Sequence, residues 1–175
     1  MKIYSLQQID ELKKEVVCNL EKSKTELQKI ISNEDVLQAL AQVKFAQVAF
    51  DPIKGTPLNF IEALNQTYSD LVVLYAAENL TAKYPGKSFI VRLGAQSGHD
   101  IESEDGEIVG ECFSVTKMKS NDKLKKDTER LMKLGDDIEK YIFFYSDQDS
   151  DKSIDNFAQN HPEIIFVRIK KFEIE

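Results

Sequence analysis

Asp105-Gly106 narrows the possible folds of this chain more than any other feature. Residues 98–113 read GHDIESEDGEIVGECF, and an Asp-Gly pair set between alternating apolar residues is a strong signal for a tight β-hairpin. With these two residues at the centre of the turn, opposed positions sum to 211. Glu104 then faces Glu107, Ser103 faces Ile108, Glu102 faces Val109 and Asp100 faces Glu111. Directly opposed side chains on one face of a hairpin have Cβ atoms about 5 Å apart. Glu104 and Glu107 lie at the wet tip, where repulsion costs little. Asp100 and Glu111 fall deeper, beside Ile101, Cys112 and Phe113. Two ionised carboxylates that close repel, and one of them is expected to hold its proton more tightly. Something has to compensate them.

The rest of the chain supplies the frame. From Leu6 the apolar positions run Leu6, Ile9, Leu12, Val16, Leu20, Leu27 and Ile30, a narrow helical seam with Ser23 filling its one gap. The seam serves either antiparallel packing on the next helix or dimerisation. SNED at 32–35 breaks the helix, with Ser32 or Asn33 as the next N-cap, and VLQALAQVKFAQVAF follows. DPIKGTP at 51–57 punctuates the chain, with Thr56 as N-cap and Pro57 at the first position of a long apolar helix that ends at PGK (85–87). SFIVRL (88–93) is a strand, and the hairpin adds two more. A basic amphipathic helix is expected over 121–134 with Leu124, Thr128 and Leu131 facing inward. YIFFYS (141–146) is a buried strand, SIDNFAQNH a short helix and EIIFVRIKKF (163–172) a last strand. The order predicts an α/β fold: a mixed sheet flanked by helices, with an N-terminal helical region at 1–52 and an α/β domain at 53–175.

Composition removes several classes of function. The 175 residues contain no run of 18 apolar positions and no apolar leader after Met1, which predicts a cytoplasmic protein without a membrane partner. Cys18 and Cys112, with His99 and His161, lack the spacing of a zinc site, and Cys112 reads as a buried thiol. The net charge of −7 argues against a protein coated for nucleic acid. Residues 117–133, however, carry seven Lys/Arg against three Asp/Glu, a basic face beside the acidic hairpin. Lys117, Lys119, Lys125 and Arg130 on that face, with Gln96 in the loop before the hairpin, are candidate phosphate contacts. The plain alternatives are a solvated helix face and a capped turn.

Hard divalent cations bind through a few carboxylate oxygens plus water, so an Asp/Glu pair at this separation can chelate Mg²⁺ or Mn²⁺. In this light GHDI and IVGECF, within helix–three strands–helix–strand, resemble the PD-(D/E)XK nuclease superfamily, which has the restriction-endonuclease-like fold. The resemblance covers about residues 56–146. It implies an αβββαβ core, with Asp100 and Glu111 as metal ligands and catalytic residues in a Mg²⁺-dependent DNA endonuclease. An acid of the preceding helix, Glu62 or Glu78, is implied near the metal; the helix dipole favours Glu62 at that position regardless. His99 stands where the family has Pro. Phe113 stands where it has the lysine that positions the attacking water, and a phenyl ring can do neither part of that work. Lys117 shares Glu111's parity but lies roughly 20 Å along an extended strand. A lysine relocated to the following helix is a variation that the resemblance permits, which ranks Lys126 and Lys123 first, with Arg92 a further possibility. Competing readings are a catalytically inactive relative that binds nucleic acid or protein, and an interaction module that dimerises through its N-terminal helices.

Overall fold

A β-meander followed by two parallel crossovers builds the sheet at the centre of the molecule. The computed structural model describes all residues except 1, 4, 33–34, 95, 118–121, 149–150 and 173–175, together with the backbone alone of 2, 3, 151 and 153. In chain order the elements are β1 (Lys2–Ile3), α1 (Leu6–Ile31), α2 (Val36–Phe45), β2 (Ala49–Phe50), β3 (Pro57–Leu58) and α3 (Phe60–Lys83). Then come β4 (Phe89–Val91), β5 (Ile101–Ser103), β6 (Ile108–Val115), α4 (Lys123–Leu131), β7 (Glu139–Ser146), α5 (Asp151–Gln159) and β8 (Ile164–Ile169). The main sheet has the order β1-β4-β5-β6-β7-β8, and β2-β3 form a separate ribbon. β4, β5 and β6 pair antiparallel, whereas β6-β7 and β7-β8 pair parallel.

The hairpin register matches the sequence arithmetic: Glu102 pairs with Val109 and Ile101 with Gly110. Its turn differs in detail. Gly106 N donates to Ser103 O at 2.9 Å, so Glu104 and Asp105 are the central residues and Gly106 follows them at φ +75°. Ser103 Oγ accepts from Ile108 N and donates to Asp105 Oδ1, closing the loop without altering the ladder.

Alternation along β6 and β7 feeds two cores. Ile108, Cys112, Tyr141 and Phe143 pack with Leu71, Leu74, Ala77 and Leu80 of α3 and with Ile9 and Val16 of α1. Val109, Phe113, Ile142 and Phe144 pack with Leu124 and Leu131 of α4 and Ile154 of α5. Strands buried on both faces read as near-continuous apolar runs, as YIFFYS does, and IVGECF departs from this at Gly110 and Glu111.

Several boundaries depart from the expected ones. α1 begins where expected, at Leu6, and its N-cap is Ser5, in a reciprocal capping box with Gln8. That of α2 is Asp35, beyond Ser32 and Asn33, because its carboxylate reaches Gln38 N. Pro57 lies in β3 opposite Phe50, and α3 is capped by Asn59, whose Oδ1 accepts from Glu62 N at 2.9 Å. Residues 1–52 share the packing of the α/β body: β1 pairs with β4, and the seam residues Ile9, Leu12, Val16 and Leu20 pack into the α3 side of the core. The α1 seam is thereby used within the chain.

Gly110 of β6 pairs with Ile101 of β5 on one side and Tyr141 of β7 on the other; a Cβ there would lie 2.7 Å from Ile101 Cγ2 and 3.6 Å from Tyr141 Cβ. Gly110→Ala is therefore expected to destabilise the fold by about 1–3 kcal/mol through overpacking, read as a lower urea midpoint at unchanged slope.

Candidate functional site

Glu111 is the centre of the polar arrangement. The parity that places Val109 and Phe113 in the α4-side core places Glu111 there too, and it is 1% exposed. A carboxylate removed from water to this degree needs partners. Glu111 Oε1 lies 2.5 Å from His99 Nδ1 and 3.1 Å from Arg130 Nη1. His99 comes from the loop before β5 and Arg130 from the last turn of α4, so both sides of the hairpin are tied to one acid.

Asp100 enters from the start of β5 and accepts a hydrogen bond from Cys112 N through Oδ2 at 2.7 Å. Burial lifts its carboxyl to about 6, and the negative charge of Glu111 adds to this against the Cys112 N–H. One acid of the opposed pair thus holds its proton more tightly, through burial first and the charge of Glu111 second. Burial also pushes the Cys112 thiol well above the ordinary thiol range, which leaves it inert.

α4 brings the third charge pair. Lys123 Nζ lies 3.1 Å from Asp127 Oδ2, one turn along the helix, and Asp127 is 6% exposed. Burial opposes the Lys123 charge, but Asp127, Asp100 and Glu111 outweigh it and hold the ammonium above the usual lysine range. Burial raises the Asp127 carboxyl, with Lys123 opposing. The cluster therefore joins Asp100, Glu111 and Asp127 with Lys123, Arg130 and His99.

Of the residues singled out in the sequence, Asp100, Glu111 and Lys123 come together. Lys126 is exposed, on the flank of α4 next to Arg130. Arg130 is held on Glu111. Lys125 is exposed and lies 3.9 Å from Glu129, and Lys117 is exposed at the end of β6. Lys119 lies outside the described residues. Gln96 Nε2 donates to Leu93 O at 2.8 Å and so closes a turn. Arg92 spans His99 O and Glu102 Oε1, each at 2.7 Å, and so fixes the loop carrying His99. Glu78 pairs with Lys13 at 2.7 Å.

Glu62 lies elsewhere, on a separate cleft of about 390 Å³ lined also by Leu58, Asn65, Gln66, Ser69, Asp70 and Gly94. Asp70, in this cleft, is 2% exposed and accepts from Gly94 N at 2.8 Å; burial and the Asp51 charge lift it to about 6. Sequence reading passed over Asp127, His99 and Asp70. Their signals were a Lys-x-x-x-Asp spacing, a histidine next to the hairpin aspartate and an acid opening the apolar run DLVVL.

Asp100 and Glu111 supply two carboxylates from adjacent strands, the number that Mg²⁺ commonly takes while keeping several waters. Among the described residues no group of three or more His, Cys, Asp and Glu is arranged to hold a metal ion. The donor set thus suits a water-rich Mg²⁺ and not an all-protein cage. The contacts of Glu111 with His99 and Arg130 use Oε1, and that of Asp100 with Cys112 uses Oδ2. Comparison with family models, curated proteins and solved structures finds no match for this chain.

Phe113 is 2% exposed and stacks on Phe144 at 5.8 Å between centroids. Phe113→Lys is expected to bury an ammonium in the α4-side core and to cost about 3 kcal/mol or more in a urea titration. Asp70 gives a pH prediction. Its folded value of about 6 exceeds the ordinary 3.8, so the folded state holds this proton after the unfolded state has lost it. Stability from this group therefore falls as pH rises from about 4 to 6. Asp70→Asn, which keeps an acceptor for Gly94 N, should gain on the native protein over that window by up to about 3 kcal/mol and hold the gain above it. Paired denaturant titrations at pH 4 and pH 7 read the difference.

Proposed function

We propose that the chain is a Mg²⁺-dependent phosphodiesterase acting on DNA, built on a restriction-endonuclease-like core of α3, β4, β5, β6, α4 and β7. The observation that carries this reading is the position of Lys123. α4 sets its ammonium in the field of Asp100 and Glu111, while Phe113 fills the strand position from which the family's lysine acts. A cation lost from the strand is thereby offered from the helix.

Asp100 and Glu111 are the proposed metal ligands. Bound there, Mg²⁺ would polarise a phosphate oxygen and lower the pKa of a coordinated water. Burial and like charge raise Asp100, and a divalent cation relieves the second of these. Lys123 offsets charge on the phosphodiester and orients the attacking water. Asp127 holds Lys123, His99 and Arg130 hold Glu111, and the Cys112 N–H holds Asp100. Exposed Lys117 and Lys125 offer contacts to the DNA backbone, which would make binding fall steeply with salt.

A second reading has its own support. Arg130 and His99 together on Glu111 Oε1 already compensate much of the acid's charge, as in a fold that retains nucleic-acid binding without hydrolysis. The two readings part on metal binding and turnover.

Plasmid nicking with Mg²⁺ tests the catalytic reading. Asp100→Asn and Glu111→Gln should abolish nicking, and Lys123→Ala should lower the rate roughly 100-fold or more, whereas Lys126→Ala should leave it unchanged. Activity that persists equally in Asp100→Asn overturns the proposal. Calorimetry showing no Mg²⁺ binding, with DNA affinity intact in both carboxylate variants, selects the binding reading instead.

A further inference from the structure

The helix α2 carries the largest apolar exposure among the described residues. Val36 is 68% exposed, Leu37 81%, Leu40 59% and Phe45 73%, and Ile31, at the end of α1, is 64% exposed. Within α2 the inward positions are Ala39, which is buried, and Gln42 and Val43, which are half-buried. At 100° per residue Val36, Leu40, Lys44, Leu37, Ala41 and Phe45 follow one another around the outer half, so the side facing solvent is apolar apart from Lys44 near its C-terminal end. The four large side chains on this face, Val36, Leu37, Leu40 and Phe45, present roughly 500 Å², the upper part of the 300–600 Å² range for the largest patch on a typical monomer.

We propose that this face of α2 is the contact between two copies of the chain, with the helices packed antiparallel about Leu40. Charge singles out a second copy as the occupant. The chain has a net charge of −7, so two copies repel unless they meet where acids are absent. Val36–Phe45 carries a single charge, Lys44, at its C-terminal end, and the N-cap is Asp35. Antiparallel pairing about Leu40 sets each Lys44 beside the Asp35 end of the other copy, so the surface is complementary to itself. It also opposes the two helix dipoles. An isologous interface requires this self-complementarity. The α1 seam contributes through burial, since Ile9 and Val16 face α3 and leave α2 as the N-terminal element open to association. The proposal stands independently of the phosphodiesterase reading.

Sedimentation equilibrium on the full chain tests it. The native protein should weigh 40 kDa, twice the 20.0 kDa chain, at micromolar concentration. Leu37→Glu and Leu40→Glu should each raise the dimer dissociation constant roughly 30-fold or more, without changing the circular dichroism of the folded chain. Lys44→Glu should weaken the dimer and make it more salt-sensitive. In a Cys18→Ser background, which removes the exposed native thiol, Leu40→Cys should cross-link copy to copy on oxidation and Val36→Cys should not. A monomer at all concentrations overturns the proposal. So does a dimer that persists in both glutamate variants, or flotation of the native protein with phosphatidylcholine vesicles in place of self-association.

Discussion

A single buried carboxylate organises one half of this molecule. The alternation of β6 requires Glu111 to share a face with Val109 and Phe113, and that face is covered by α4. An ionised group at 1% exposure is tolerated only with partners, and these come from two directions, His99 from the β4-β5 connection and Arg130 from α4. The ion pair thus sets the rotation of α4 about its own axis. Arg130 on Glu111 and Leu124, Thr128 and Leu131 in the core fix which side of the helix faces the sheet. Lys123 and Asp127 are carried toward Asp100 as a consequence.

The other face of the sheet has a different character. α3 packs as an apolar rod with ten buried positions, and α1 lies against it with a polar insertion, Lys13, 5% exposed between Glu78 and the Tyr75 ring. At the far end of α3, Lys83 and Tyr84 meet Glu139 and Tyr141 of β7 in a network of hydrogen bonds around 2.6 Å. These contacts tie the long helix to a central strand of the sheet. The polar cluster around Glu111 therefore stands on a rigid support, which is what precise placement of charged groups requires.

The hairpin was legible because a two-residue turn signal fixes register, and register alone decides that Asp100 and Glu111 are neighbours. The inward residues of α4 were legible from their spacing of three and four. Boundaries near Pro57 and Asp35 were not. Pro57 suits a first helical turn and an edge strand equally, and the short ribbon with Phe50 decided between them. The surroundings of Glu62 were not legible for a related reason: the distance from the start of α3 to the hairpin depends on how the helix lies on the sheet.

The sequence by itself determined the order of elements, the hairpin register and the pairing of two acids across it, because these depend on local turn chemistry and on a period of two. Which cations meet those acids was decided by tertiary structure alone. Lys123, Lys126 and Arg130 lie within one stretch of helix and look interchangeable along the chain. The packing of Leu124 and Leu131 against Phe113, Ile142 and Phe144, together with the pairing of Arg130 with Glu111, gives the helix a direction. Side-chain direction on a helix is a rotation about an axis, and the contacts that stop that rotation come from residues distant in sequence.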